Sequence, residues 1–190
     1  MILMVNDVMK HDRAHDPGGK HSWPLLPGVR GPAEFSPCGP YRHILRRDWG
    51  DPNTVVPFML SVGMNPSTAG AFVDDPTLRK DQTYAWREGF KSLVKVNICD
   101  FRATHPKQLL APDILPRSDE NLPAISRLAK HAGLIVVCWG VMHPQLQGYV
   151  QQVVKILKPY SLWCFGVNTD NSPRHPLFLP NDAPLMVWHP

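Results

Sequence analysis

Four short apolar runs, at residues 55–62, 93–98, 134–139 and 160–165, constrain this chain more than any other feature. None shows the apolar–polar alternation of a strand with one wet face, so each predicts a strand buried on both faces. Helical stretches stand between them. Asp75-Pro76-Thr77 opens one that runs to Glu88 and stops at Gly89; residues 118–131 form a second, with Ser118 as its cap and Gly133 beyond it; residues 146–157 form a third. Strand, loop and helix recur in that order. The fold class this predicts is α/β: a three-layer α/β/α sandwich with a central, mostly parallel four-stranded sheet, joined at its edge by an N-terminal strand at residues 41–48.

In such a sheet ligands bind in the crevice beyond the carboxyl ends of the strands. Each apolar run here is followed by a polar or irregular segment, at residues 63–70, 97–104, 139–144 and 166–176. Four loops at one edge make a site, whatever the site does.

The rest of the composition sets bounds. A chain of 190 residues suits one ordinary domain at residues 41–190. The preceding 1–40 are dense in proline and glycine, which excludes long regular elements and predicts a mobile or draped arm. No apolar run approaches the length of a membrane span, and Met1-Ile2-Leu3-Met4-Val5 turns polar too early for a secretory leader, so a cytoplasmic location is expected. The net charge of +4 is compatible with a phosphate-backbone partner without demanding one. Of the four cysteines, Cys99, Cys138 and Cys164 lie in apolar runs and read as reduced core thiols. No spacing suggests a metal site, and no cofactor is implied. A Gly-x-x-x-x-Gly-Lys-[Ser/Thr] phosphate loop and a Gly-x-Ser-x-Gly elbow are both missing, which disfavours nucleoside-triphosphatase and serine-hydrolase chemistry.

Three segments together resemble the uracil-DNA glycosylase superfamily, in particular its mismatch-specific thymine/uracil branch. Gly63-Met64-Asn65-Pro66 is similar to that branch's Gly-Ile-Asn-Pro motif after the first core strand. Asn97-Ile98-Cys99-Asp100-Phe101-Arg102-Ala103-Thr104 is similar to its second-strand segment, and Arg174-His175-Pro176 falls where the superfamily has its His-Pro or Asn-Pro intercalating loop. The chain also resembles an uncharacterised bacterial domain family with Asn-Pro-Ser-Thr, Phe-Arg-Ala-Thr and Arg-His-Pro-Leu motifs. Order and placement after successive strands carry the weight, since Asn-Pro and His-Pro are common turn dipeptides. The resemblance covers roughly residues 41–190.

The resemblance implies a monofunctional DNA glycosylase that acts as a monomer on a base flipped from double-stranded DNA. Asn65 and His175 would be catalytic. The Asn65 amide would position the attacking water, and His175 would donate a hydrogen bond to the departing base. Gly63, Met64, Ser67, Phe72, Asn97 and Trp139 would bind substrate, with Phe72 or Trp139 stacking on the base and Asn97 reading its edge. Arg102, Thr104, Arg174 and Leu177 would contact DNA, and Arg174 or Leu177 would fill the vacated stack. Six of them have a plainer alternative: Asn65 as a turn former, His175 as a surface histidine, Leu177 as a loop anchor, Trp139 as core packing, Asn97 as a strand cap, Arg102 as an ion-pair partner of Asp74 or Asp75.

Uracil-specific members of the superfamily place a bulky tyrosine soon after the first motif to exclude a 5-methyl group. Here Ser67, Thr68, Ala69 and Gly70 are small. An open wall at the pyrimidine 5-position implies a 5-substituted substrate, such as the hydroxymethylated or glucosylated cytosine of phage DNA, and a role in anti-phage defence. Two other readings stay open: a hydrolase of free modified nucleotides or nucleosides, and a non-catalytic module that holds a modified base.

Overall fold

A computed structural model describes residues 22–190, so the expected N-terminal arm lies outside the described residues up to residue 21. Nine strands and three α-helices are present among them: β1 (Trp23–Pro24), β2 (Ala33–Phe35), β3 (Arg42–Asp48), β4 (Met59–Gly63), β5 (Val73–Asp74), α1 (Pro76–Arg87), β6 (Ser92–Asn97), α2 (Asn121–Ala129), β7 (Leu134–Val137), α3 (Gln147–Leu157), β8 (Leu162–Cys164) and β9 (Met186–Val187).

The class is mixed α/β, and the sheet is larger than expected. Seven strands follow one another in the order β2-β3-β6-β4-β7-β8-β9. Pairing is parallel across β6/β4, β4/β7 and β7/β8, and antiparallel at the flanks, where β2 meets β3, β3 meets β6, and β9 meets β8. The strand expected at the N-terminal edge, β3, is therefore interior, because β2 covers it. Between residues 22 and 40, the described part of the proline-rich segment, no long element forms. Among the described residues the segment contributes β2 and the short β1, which pairs with β5.

Proline and side-chain chemistry explain where the helix and strand limits differ from expectation. The run at 55–62 enters the sheet only at Met59; Val55 is fully exposed, and Pro57 has no N–H to give to a ladder. The second helix begins at Asn121 rather than Ser118. Ser118 Oγ donates instead to Asp100 Oδ2 at 2.6 Å, and its backbone N–H donates to Asp100 Oδ1 at 2.8 Å. The first helix opens as expected: Asp75 Oδ1 accepts the Leu78 N–H at 2.8 Å, Pro76 stands in the first turn where no N–H is needed, and Gly89 takes a φ of 81° after the end.

The two faces of the sheet are covered differently. Alternation along the strands sends Leu60, Val62, Val94, Val96, Ile135 and Val137 to one side, where they pack with Ala124, Ile125 and Ala129 of α2 and Val150, Val153 and Leu157 of α3. Leu45, Met59, Leu93 and Val136 go to the other, against Leu78, Tyr84 and Ala85 of α1. On that second side Tyr84 stacks on Phe165 with ring centroids 4.0 Å apart. Cys99, Cys138 and Cys164 are free and buried. Among the described residues no helix is long and apolar enough to cross a membrane.

Candidate functional site

The carboxyl ends of β4, β6, β7 and β8 open onto a cavity of about 670 Å³. All four of the loops singled out in the sequence contribute to its lining: Gly63, Met64, Asn65, Ser67, Thr68 and Ala69 after β4; Asn97, Ala103 and Thr104 at and after β6; Trp139, Gly140 and Val141 after β7; His175, Leu177 and Phe178 after β8. Backbone hydrogen bonds tie the loops together. Ile98 and Cys99 donate to the Gly63 and Met64 carbonyls at 2.8 and 2.9 Å, Ala103 to Pro66 at 2.9 Å, and Gly140 to Pro173 at 2.9 Å.

Asn65 is held by its own amide. Nδ2 donates to the Pro66 carbonyl at 2.8 Å and the Ala103 carbonyl at 2.7 Å. Two carbonyl acceptors identify the nitrogen and leave Oδ1 as an acceptor for something else. His175 caps the short 3-10 turn Pro176–Phe178, its Nδ1 accepting the Leu177 N–H at 3.4 Å. A neutral imidazole accepting at Nδ1 carries its proton on Nε2, which makes that atom a donor.

Asn97 ends β6 with its side chain 1% exposed, and neither Oδ1 nor Nδ2 has a hydrogen-bond partner among the described residues. Leaving a buried amide unpaired costs about 1–3 kcal/mol. The strand-capping alternative does not describe it, because the cap here is made by another residue: Asn121 Nδ2 donates to the Asn97 backbone carbonyl at 3.1 Å. Ser67 Oγ and Thr68 Oγ1, in the same lining, are also buried without a partner among the described residues.

Two expected site residues fall outside the lining, and Arg102 with them. Phe72 is half-exposed but off the cavity, since the chain turns at Gly70, whose N–H donates to Val73 at 2.9 Å, and runs away into β5. Arg174 is exposed beside Gly166. Arg102 is buried, with its guanidinium 5.0 Å from the centre of the Phe35 ring, so its position does not offer it to a surface phosphate. Asp74, one proposed partner of Arg102, is engaged by Arg47 at 2.8 Å and Arg79 at 2.6 Å. Trp139 belongs to both the lining and the core: it is 2% exposed and meets Trp188 edge to face at 5.2 Å. Leu177 is no core anchor, being 41% exposed at the cavity mouth.

Several lining residues were not anticipated. Phe178 is 75% exposed and Val141 is also exposed, so with Leu177 they form an apolar rim. Asp75, besides capping α1, lines the cavity. Lys95 lies in the wall as part of a buried group with Asp81, Ser61 and Cys138. A lone lysine inside an apolar strand was the available signal, because a fully buried charge must have a partner. Burial pushes the Cys138 thiol up, against the opposing pull of Lys95, so it is not a thiolate nucleophile. Among the described residues no three His, Cys, Asp or Glu side chains converge as a metal site requires.

A family model described as a protein of unknown function (DUF1643) matches residues 42–177. That span runs from the start of β3 through the His175 loop and contains most of the cavity lining. No curated protein and no solved structure matches the chain.

Proposed function

This chain belongs to the DUF1643 family, and from its cavity we propose that it is a monofunctional DNA glycosylase acting on a 5-substituted pyrimidine, such as hydroxymethylated or glucosylated cytosine. In this reading the protein works as a monomer on double-stranded DNA in the cytoplasm, flips the target nucleotide into the cavity and leaves an abasic site, as an act of anti-phage defence. The observation that carries the reading is the unpaired Asn97 amide, buried in the same cavity that Asn65 and His175 line. An amide with a free donor and a free acceptor matches the paired acceptor and donor on the edge of a pyrimidine, and a bound base would repay the cost of leaving it unpaired.

The chemistry assigns each group one task. Water, oriented by Asn65 Oδ1, attacks the anomeric carbon through its oxygen. The glycosidic C–N bond breaks with its electron pair going to the base. The base then takes a proton, and the attacking water gives one up to solvent. Asn65 is no base, so its contribution is placement of the water against an oxocarbenium-like centre. His175 Nε2–H donates to a carbonyl oxygen of the departing base. The exposed Leu177 and Phe178 are suited to fill the gap left in the duplex. Small side chains at Ser67, Thr68 and Ala69 leave the wall open to a 5-substituent, and a cavity of about 670 Å³ is roomy for a plain pyrimidine. The architecture fits a three-layer α/β/α reading with four parallel strands at its centre, the site lying at their carboxyl ends.

The test is incubation of the protein with unmodified, uracil-containing and 5-modified duplex DNA, followed by alkaline cleavage at abasic sites. Breaks confined to, or strongly favouring, the 5-modified DNA are expected. Activity on free nucleosides without activity on DNA would replace this reading with a nucleoside hydrolase.

A further inference from the structure

The reaction above leaves Lys95, in the cavity wall, unused. It stands on β6 between Val94 and Val96, nearly fully buried on the α1 side of the sheet. Its Nζ donates to Asp81 Oδ2 at 2.7 Å and to Ser61 Oγ at 3.0 Å, and its third proton meets only the poor acceptor Cys138 Sγ at 3.5 Å. Burial alone would lower the Lys95 pKa, but the Asp81 carboxylate outweighs it and raises it, so the amine stays protonated. Such a cation is no nucleophile for a Schiff base.

The pair is oriented. Lys95 lines the cavity and Asp81 does not, so the dipole presents its positive end to the ligand. The other charged or titratable groups on the cavity are Arg42, whose guanidinium donates to the Ala69 carbonyl at 2.5 Å, Asp75, whose Oδ1 is engaged by the Leu78 N–H, and His175 on the β8 loop. Gly63 is what lets the ammonium come close. A Cβ there would lie 2.9 Å from Lys95 Cε and 3.0 Å from Nζ, and also 2.9 Å from Asn97 Oδ1. The ammonium and the unpaired Asn97 amide therefore flank the same point of backbone. As a stabilising device the pair is a poor choice, since apolar replacement of a buried ion pair is often neutral or better.

We infer that Lys95 is a positioning residue for charge: backed by Asp81, it gives the base pocket a positive potential that favours a base carrying or developing negative charge. This rests on the glycosylase reading and assigns that site its leaving-group preference. Lys95 forms no bond and passes no proton.

The experiment is calorimetric titration of the full-length protein with two free bases, 5-nitrouracil and uracil, at a pH where the first is anionic and the second neutral. Wild type should prefer 5-nitrouracil by on the order of tenfold. The K95M/D81N variant, which removes both charges and leaves neither unpaired, should lose that preference, and K95R should keep it. A second measurement needs no variant: the ultraviolet spectrum of bound 5-nitrouracil should show its ionisation shifted about one pH unit lower than in the free base, the equivalent of that tenfold factor. Equal preference in wild type and K95M/D81N, or an unshifted ionisation, overturns the inference while leaving the base pocket standing. Failure of wild type to bind either base overturns both.

Discussion

The two faces of the sheet differ in what they bury. Toward α2 and α3 the strands present Leu60, Val62, Val94, Val96, Ile135 and Val137, with no charge among them. Toward α1 the same strands present Ser61, Lys95 and Asn97, and the neighbouring β3 presents Arg47, all buried. Each polar group lies one residue from an apolar one and is sent to the opposite face by the pleat. One face carries the stability of an ordinary core. The other spends some of that stability on a cavity with an unpaired amide and a buried ion pair. The site is thus built into the sheet itself, with the loops closing over it.

Substitutions on the two faces should differ in kind as well as in size. Asp81→Ala on the polar face leaves the Lys95 charge buried and alone, and chemical denaturation should record a loss of about 3–5 kcal/mol. On the apolar face, Ile125→Ala opens a void in a fully buried position and should cost about 2–4 kcal/mol with activity per folded molecule unchanged. Asn97→Leu should go the other way. Replacing an unpaired buried amide by a hydrocarbon of similar size should raise stability by about 1–2 kcal/mol while abolishing base binding. A destabilised Asn97→Leu would mean that the amide is satisfied in the resting protein. The effect that is absent at neutral pH concerns Cys99, a thiol with an ordinary value of 9.0 that burial pushes up to about 12. Its folded-state value is the higher one, so its contribution is intact below pH 9.0 and is lost as the pH rises toward 12. Cys99→Ala should flatten the fall in melting temperature across that window.

Much of this was legible in the sequence because the parallel strands are buried on both faces, are mostly apolar and end in unusual loops. The lining role of Asn65, Asn97 and Trp139 follows from their positions at or just past strand ends, and that of His175 and Leu177 from the long loop after β8, placements that need no knowledge of packing. What stayed hidden depends on distant partners. β2 and β9 are three and two residues long and exist by pairing with β3 and β8, which no local pattern announces. Phe72 looked like a pocket aromatic because it follows the first motif closely, but the turn at Gly70 takes it elsewhere. Ser118 has the chemistry of a helix cap and is recruited by Asp100 instead. Lys95 needed Asp81, a helix away in sequence, before its burial made sense.

The most direct test of a single cavity acting on one everted nucleoside compares wild type with Asn65→Ala on 5-modified duplex DNA, measuring abasic-site formation and DNA retention together. The account predicts that the variant loses product by on the order of a hundredfold or more, as expected when the placement of a nucleophile is lost, yet holds DNA as wild type does. Equal product from both proteins would contradict it.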